Sequence, residues 1–156
     1  MAIYKTDIIT AKDSLSVSDK SVDGAKTGAT VLQATAVYTM TGAESSYDII
    51  ELTDLPPSAT VVPENSYVAF GYPGGFSAGW ITLGDSSNPE RYGSTLIDFN
   101  ADQKQSNRFG YSANYPMAEP QPYDKATRLV ARFSGTPSAR VAGGKIVFGI
   151  SYTIKG

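Results

Sequence analysis

Apolar residues recur at every second position in two long stretches of the chain. Within 30–40, Leu32, Ala34, Ala36, Tyr38 and Met40 share one face, and Gln33, Thr35 and Thr39 take the other. Within 145–154, Ile146, Phe148, Ile150, Tyr152 and Ile154 alternate with Val147, Gly149, Ser151 and Thr153. A period of two predicts half-buried β-strands, and the cleaner second stretch predicts a central one. The stretch 128–134 alternates likewise, Leu129, Ala131 and Phe133 against Arg128, Val130 and Arg132. Five shorter runs, 48–52, 60–62, 66–70, 79–83 and 95–99, are rich in β-branched or aromatic residues and bounded by Pro, Gly and Asp. About eight strands at spacings of roughly 8–15 residues, with no helical period, predict an all-β single domain. A jelly-roll-like β-sandwich is the first reading and an immunoglobulin-like sandwich the second. The long polar segment 100–126, with Pro116, Pro120, Pro122 and Gly110, suits a jelly-roll crossing better than a run of tight hairpins.

The N-terminal stretch follows a different pattern. Residues 1–26 carry one apolar cluster, Ile3, Tyr4, Ile8 and Ile9, and then turn polar, with Leu15, Val17 and Val22 too sparse to bury a helix face. Ser and Asp dominate and compete with helix formation. The reading is an extended N-terminal arm (1–26) ahead of a β-sandwich domain (27–156), with a disordered terminus as the alternative. The apolar cluster argues for docking.

Composition removes whole classes of chemistry. The 156 residues include no Cys and no His. Disulfides, thiolate metal sites and Ser-His-Asp or Cys-His machinery are therefore excluded, and so is the commonest neutral-pH base. The net charge of −2 argues against a nucleic-acid partner. No apolar run approaches the roughly 18 residues of a membrane span, and 1–12 lacks a signal-peptide core. Charge is unevenly placed: residues 27–100 sum to −7 and residues 101–156 to +5. Acidic early strands paired with basic late ones in one sandwich is the simplest account, ahead of electrostatic steering.

Two carboxylate pairs could carry chemistry. Asp48 and Glu51 point to opposite faces of a strand and cannot act together. Asp85 and Glu90 share the loop 84–91, where an ion pair with Arg91 that staples the loop is favoured over a glycosidase pair. The same loop lacks the ligand spacing of a calcium loop. The glycine-rich 71–79 lacks the Lys-Ser/Thr ending of a phosphate loop, and no SxxK sits in a helical context. No catalytic, metal or cofactor site is assigned, and the chain reads as a non-enzyme. The strongest hint is aromatic: ten Tyr, six Phe and one Trp, many in two loops. Trp80 and Tyr38 are read as core, while Tyr72, Phe76, Phe109, Tyr111 and Tyr115 are read as contact residues, together with Ile3, Tyr4, Ile8 and Ile9.

One stretch resembles a known family. The order Gly42-Ala43-Glu44, Asp48-Ile49-Ile50-Glu51-Leu52, Leu55-Pro56, Val61-Val62-Pro63-Glu64, Leu83-Gly84-Asp85 and Pro89-Glu90-Arg91-Tyr92 resembles small structural proteins of tailed bacteriophages, among them capsid decoration, or cement, proteins. The resemblance covers about a third of the chain. It implies a sandwich on the virion, on the capsid exterior, bound to the major capsid protein as a homo-oligomer, a homotrimer by analogy, and stabilising the head shell. Aromatic loops also stack on sugars, so a carbohydrate-binding β-sandwich module or a fibre or receptor-binding domain is the alternative.

Overall fold

A computed structural model describes residues 1–14, 31–71, 76–99, 105–110, 120–135 and 142–154; the side chains of 11–14, 70–71, 76–78, 98–99 and 105 lie outside that description. Along the chain run β1 (Ile3–Lys5), α1 (Asp7–Ser14), β2 (Val31–Thr39), β3 (Ile49–Leu55), β4 (Ala59–Val61), a 3-10 turn (Pro63–Asn65), β5 (Tyr67–Gly71), β6 (Phe76–Asp85), β7 (Ser94–Phe99), β8 (Gln105–Arg108), β9 (Thr127–Phe133) and β10 (Lys145–Ile154). They form a jelly-roll-like β-sandwich. One sheet has the order β1-β3-β9-β6-β7, the other β2-β10-β5-β8, with β4 also on β10.

The alternating stretches become strands because one face of each can be buried against the opposite sheet. In β10, Ile146, Phe148 and Ile150 are fully buried, and Ala36, Tyr38 and Met40 follow from the β2 side. Ile50, Leu52, Ile81, Leu83, Leu129, Ala131 and Phe133 answer them from the first sheet. β10 is central, as its pattern predicts: β2 flanks one side, and β5 and β4 share the other. Charge pairing also follows the sequence reading. Arg128 on β9 contacts Asp54 (2.8 Å) and Glu51 (3.1 Å) on the neighbouring β3.

The N-terminus departs from the extended arm. Its first residues are extended, but as β1, parallel to β3 with Ile3 beside Ile49. Residues 7–14 are helical, where the Ser and Asp content argued against a helix. So short a helix needs tertiary support. It has that in Ile9, which is fully buried, and in Asp7, which accepts the Val37 N–H of β2 at 2.9 Å as well as the Ile8 N–H of its own first turn. The boundary placed at residue 26 lies outside the described residues.

Two aromatic assignments are corrected. Ile81 and Leu83 take the core face of β6, so Trp80 stands on the opposite face, half-buried and paired in register with exposed Leu96. Phe109, read as a loop contact, is a core residue. The β8–β5 pairing carries it inward, and its N–H is held by the Ser66 carbonyl at 3.0 Å.

Candidate functional site

Two polar clusters and one apolar edge are the candidates. The first cluster is built where β6 ends. Gly84 lets the following loop fold back over the sheet: a Cβ there would sit 2.1 Å from the Asn88 carbonyl oxygen and 2.5 Å from the Pro89 carbonyl carbon. The Thr82 hydroxyl fastens the returning loop by donating to the Pro89 carbonyl at 2.8 Å.

Asp85 is buried at the root of this loop. Its Oδ1 accepts from the Ser87 N–H (3.0 Å), the Ser87 hydroxyl (2.6 Å) and the Asn88 N–H (2.9 Å). Its Oδ2 accepts from Arg91 Nε (2.6 Å) and the Tyr123 hydroxyl (2.8 Å). Tyr92 in turn donates to the Tyr123 oxygen at 2.5 Å. Burial opposes ionisation of Asp85, but donation from Ser87, Tyr123, Arg91 and Asn88 outweighs it and holds the carboxyl below its ordinary value. Burial pushes the Tyr123 and Tyr92 phenols up, so both stay protonated.

A cleft of about 580 Å³ opens here, lined among others by Asp85, Ser87, Arg91, Tyr92, Tyr123 and Lys125. Its buried carboxylate has no spare lone pair aimed at a ligand, because each oxygen already accepts at least two hydrogen bonds. The arrangement therefore ties a loop to the sheet rather than moving a proton. Tyr123 extends the tie, since its backbone exchanges hydrogen bonds with Ser58 and Ala59 at the start of β4. The Asp85–Arg91 ion pair foreseen from the loop sequence is present. Glu90 does not join Asp85; it pairs with Arg132, whose guanidinium also lies 5.6 Å from the centre of the Tyr47 ring.

The second cluster centres on Glu44, which is fully buried. Its Oε1 accepts from the Tyr38 hydroxyl (2.6 Å), the Thr41 N–H (2.6 Å) and the Thr41 hydroxyl (2.9 Å), and its Oε2 from the Gly42 N–H (3.0 Å). Burial again works against ionisation, and these donors again hold the carboxyl below its ordinary value. Among the described residues, no group of three or more acidic side chains is gathered as a metal site would require.

The apolar edge lies at β1. Ile3 is 55% exposed and is accompanied by Met1 (83%) and Tyr47 (57%). The other sequence-assigned contact residues at this end turn inward. Tyr4 is half-buried against Tyr38 with ring centres 5.6 Å apart, Ile8 is half-buried, and Ile9 lies in the interior. Tyr72, Tyr111 and Tyr115 lie outside the described residues, as does the side chain of Phe76, whose backbone opens β6.

The fold class is thus a two-sheet sandwich in which the Asp85 and Glu44 clusters brace turns, and it has a counterpart among solved structures. The chain is similar to one in the capsid of Ralstonia phage GP4, with a TM-score of 0.62 and 18% identity over 99% of both chains, which shows a shared fold. Weaker likenesses are to chains of the acid-stable capsid of Helicobacter pylori bacteriophage KHP30 (TM-score 0.49, 14% identity, 83% of this chain and 92% of that one) and the cyanophage Pam1 capsid (0.48, 13%, 90% and 98%). No family model matches the chain, and no curated protein matches it.

Proposed function

We propose that this chain is a non-enzymatic structural protein of a phage virion, a decoration protein that binds the outside of the head shell as an oligomer and stabilises it. The observation that carries this reading is the likeness over 99% of both chains to a chain of the Ralstonia phage GP4 capsid. The chemistry of the clusters agrees, because Asp85 and Glu44 are consumed by internal donors and brace turns. On this reading the β1 edge, with Met1, Ile3 and Tyr47, is apolar surface for the major capsid protein, and the oligomer is a homotrimer. Burial of apolar area supplies the adhesion.

Mixing purified protein with phage heads that lack it tests the reading. Saturable co-sedimentation and a raised temperature of head disruption are expected. Heads that take up none of it, or specific retention of the protein on a glycan array, would favour the sugar-binding alternative and overturn the proposal.

A further inference from the structure

The β2 edge closes one side of its sheet, and among the described residues it is protected over only half its length. β2 pairs with β10 alone, from Val31 opposite Thr153 to Thr39 opposite Lys145. In an antiparallel pair, alternate residues turn their N–H and C=O groups away from the partner strand. Asp7 identifies which residues these are: its Oδ1 accepts the Val37 N–H at 2.9 Å, so the odd-numbered residues face away from β10. Helix α1 therefore closes this edge at Val37. No strand pairs with Val31, Gln33 or Thr35 on that side among the described residues. Their side chains are exposed and uncharged, and the stretch has no proline, no lysine and no bulge. Those are the devices by which edge strands avoid pairing.

We propose that residues 31–35 pair antiparallel with the same stretch of a second copy, about a two-fold axis at Gln33. Three features select this occupant. The stretch is self-complementary: with Gln33 opposite Gln33 of the second copy, each Val31 falls opposite a Thr35, and no like charges meet. The Asp7 cap at Val37 blocks longer pairings and so fixes the register. Pairing also covers Val31, which is 51% exposed and one of the large apolar side chains on the surface among the described residues. The contact is isologous, each copy giving and receiving the same backbone groups, and it continues one sheet across two molecules as β10-β2-β2-β10. It leaves the β1 edge open for a shell, and a two-fold contact of this kind would link neighbouring trimers.

The chain has no Cys, so Gln33→Cys places one thiol per copy at the proposed axis. The full-length variant is expected to give a covalent dimer under mild oxidation. Gln33→Lys sets two ammonium groups opposite each other and should weaken self-association at least about tenfold in light scattering. Circular dichroism of both variants should match the unchanged chain, since the Gln33 side chain is exposed. Full-length protein that stays monomeric at the highest attainable concentration overturns the proposal. So does association that survives Gln33→Lys with no cross-link in Gln33→Cys, which would place the contact elsewhere. Loss of head binding by Gln33→Lys at unchanged mass would assign the edge to an extended shell segment and overturn self-pairing. The cross-link is read on isolated protein and the decoration reading on heads, so the two fail separately.

Discussion

Replacing Asp85 by Ala tests whether the carboxylate is the knot of its loop. The substitution removes an acceptor that serves Ser87, Asn88, Arg91 and Tyr123. A hydrogen bond to a charged group contributes about 1.5–3 kcal/mol, and a buried donor left alone costs about 1–3 kcal/mol. Not all of this is lost. The Arg91 side chain is 36% exposed and rehydrates, so its share is discounted as a surface pair. Water can also enter through the cleft to reach Ser87. The Tyr123 hydroxyl and the backbone donors remain, giving an expected loss of about 3–4 kcal/mol. Tyr123→Phe keeps the packing but removes a donor to Asp85 and the acceptor of the buried Tyr92 hydroxyl, so about 2–3 kcal/mol is expected. Urea unfolding followed by circular dichroism gives both values, and the double variant should cost less than their sum by about 1 kcal/mol. A loss below about 1 kcal/mol for Asp85→Ala, or strict additivity with Tyr123→Phe, would refute the reasoning.

Gly84→Ala is expected to cost about 3 kcal/mol, because its Cβ meets backbone of 88–89 that cannot move without releasing the loop. Gly149→Ala should cost about 1 kcal/mol, because the atom it meets is the Tyr67 ring, which can swing aside; equal losses in thermal melts would contradict the distinction. Ile9→Ala should lose about 2–4 kcal/mol and Ile3→Ala less than about 0.5 kcal/mol in the isolated protein, while only the second weakens head binding without unfolding. Acid titration of stability follows from Asp85 and Glu44. Both carboxyls are held below their ordinary values of 3.8 and 4.5 in the fold, so the unfolded chain binds their protons first as pH falls. Stability should be level above about pH 5 and fall below about pH 4 as pH drops through the folded values. A curve that rises on acidification from pH 5 to 3 would reverse the sign.

The strands that could be read in advance were those whose burial imposes a period. Leu32 to Met40 and Ile146 to Ile154 face the opposite sheet, and so they alternate in sequence. β1 and β8 carry no such mark. Three residues are too few to show a period, and Gln-Ser-Asn-Arg in β8 is a strand because β5 offers its edge. Trp80 was misplaced because hydrophobicity does not say which of two faces is the inner one; the parity set by Ile81 and Leu83 does. The Asp85–Arg91 contact was legible because loop neighbours in sequence are neighbours in space. Tyr123 was not, since it reaches Asp85 from a polar segment 38 residues away and only the fold brings them together. Glu44 was hidden for another reason: a short Thr-Gly-Ala-Glu turn gives no sign that Tyr38 will bury its carboxylate.

The place of β10 also sets the order in which the molecule can be made. β2 must wait for a partner whose first residue, Lys145, lies 106 positions beyond Thr39, and β4 and β5 wait for the same strand. While a ribosome is still extending the chain, that sheet has no spine, although β3, β6, β7 and β9 can already assemble. Closure over so long a separation is slow, and the waiting strands expose open edges meanwhile. A nascent chain arrested before β10 should therefore be protease-sensitive and sticky in β2, β4 and β5, and become resistant there once that strand clears the exit tunnel.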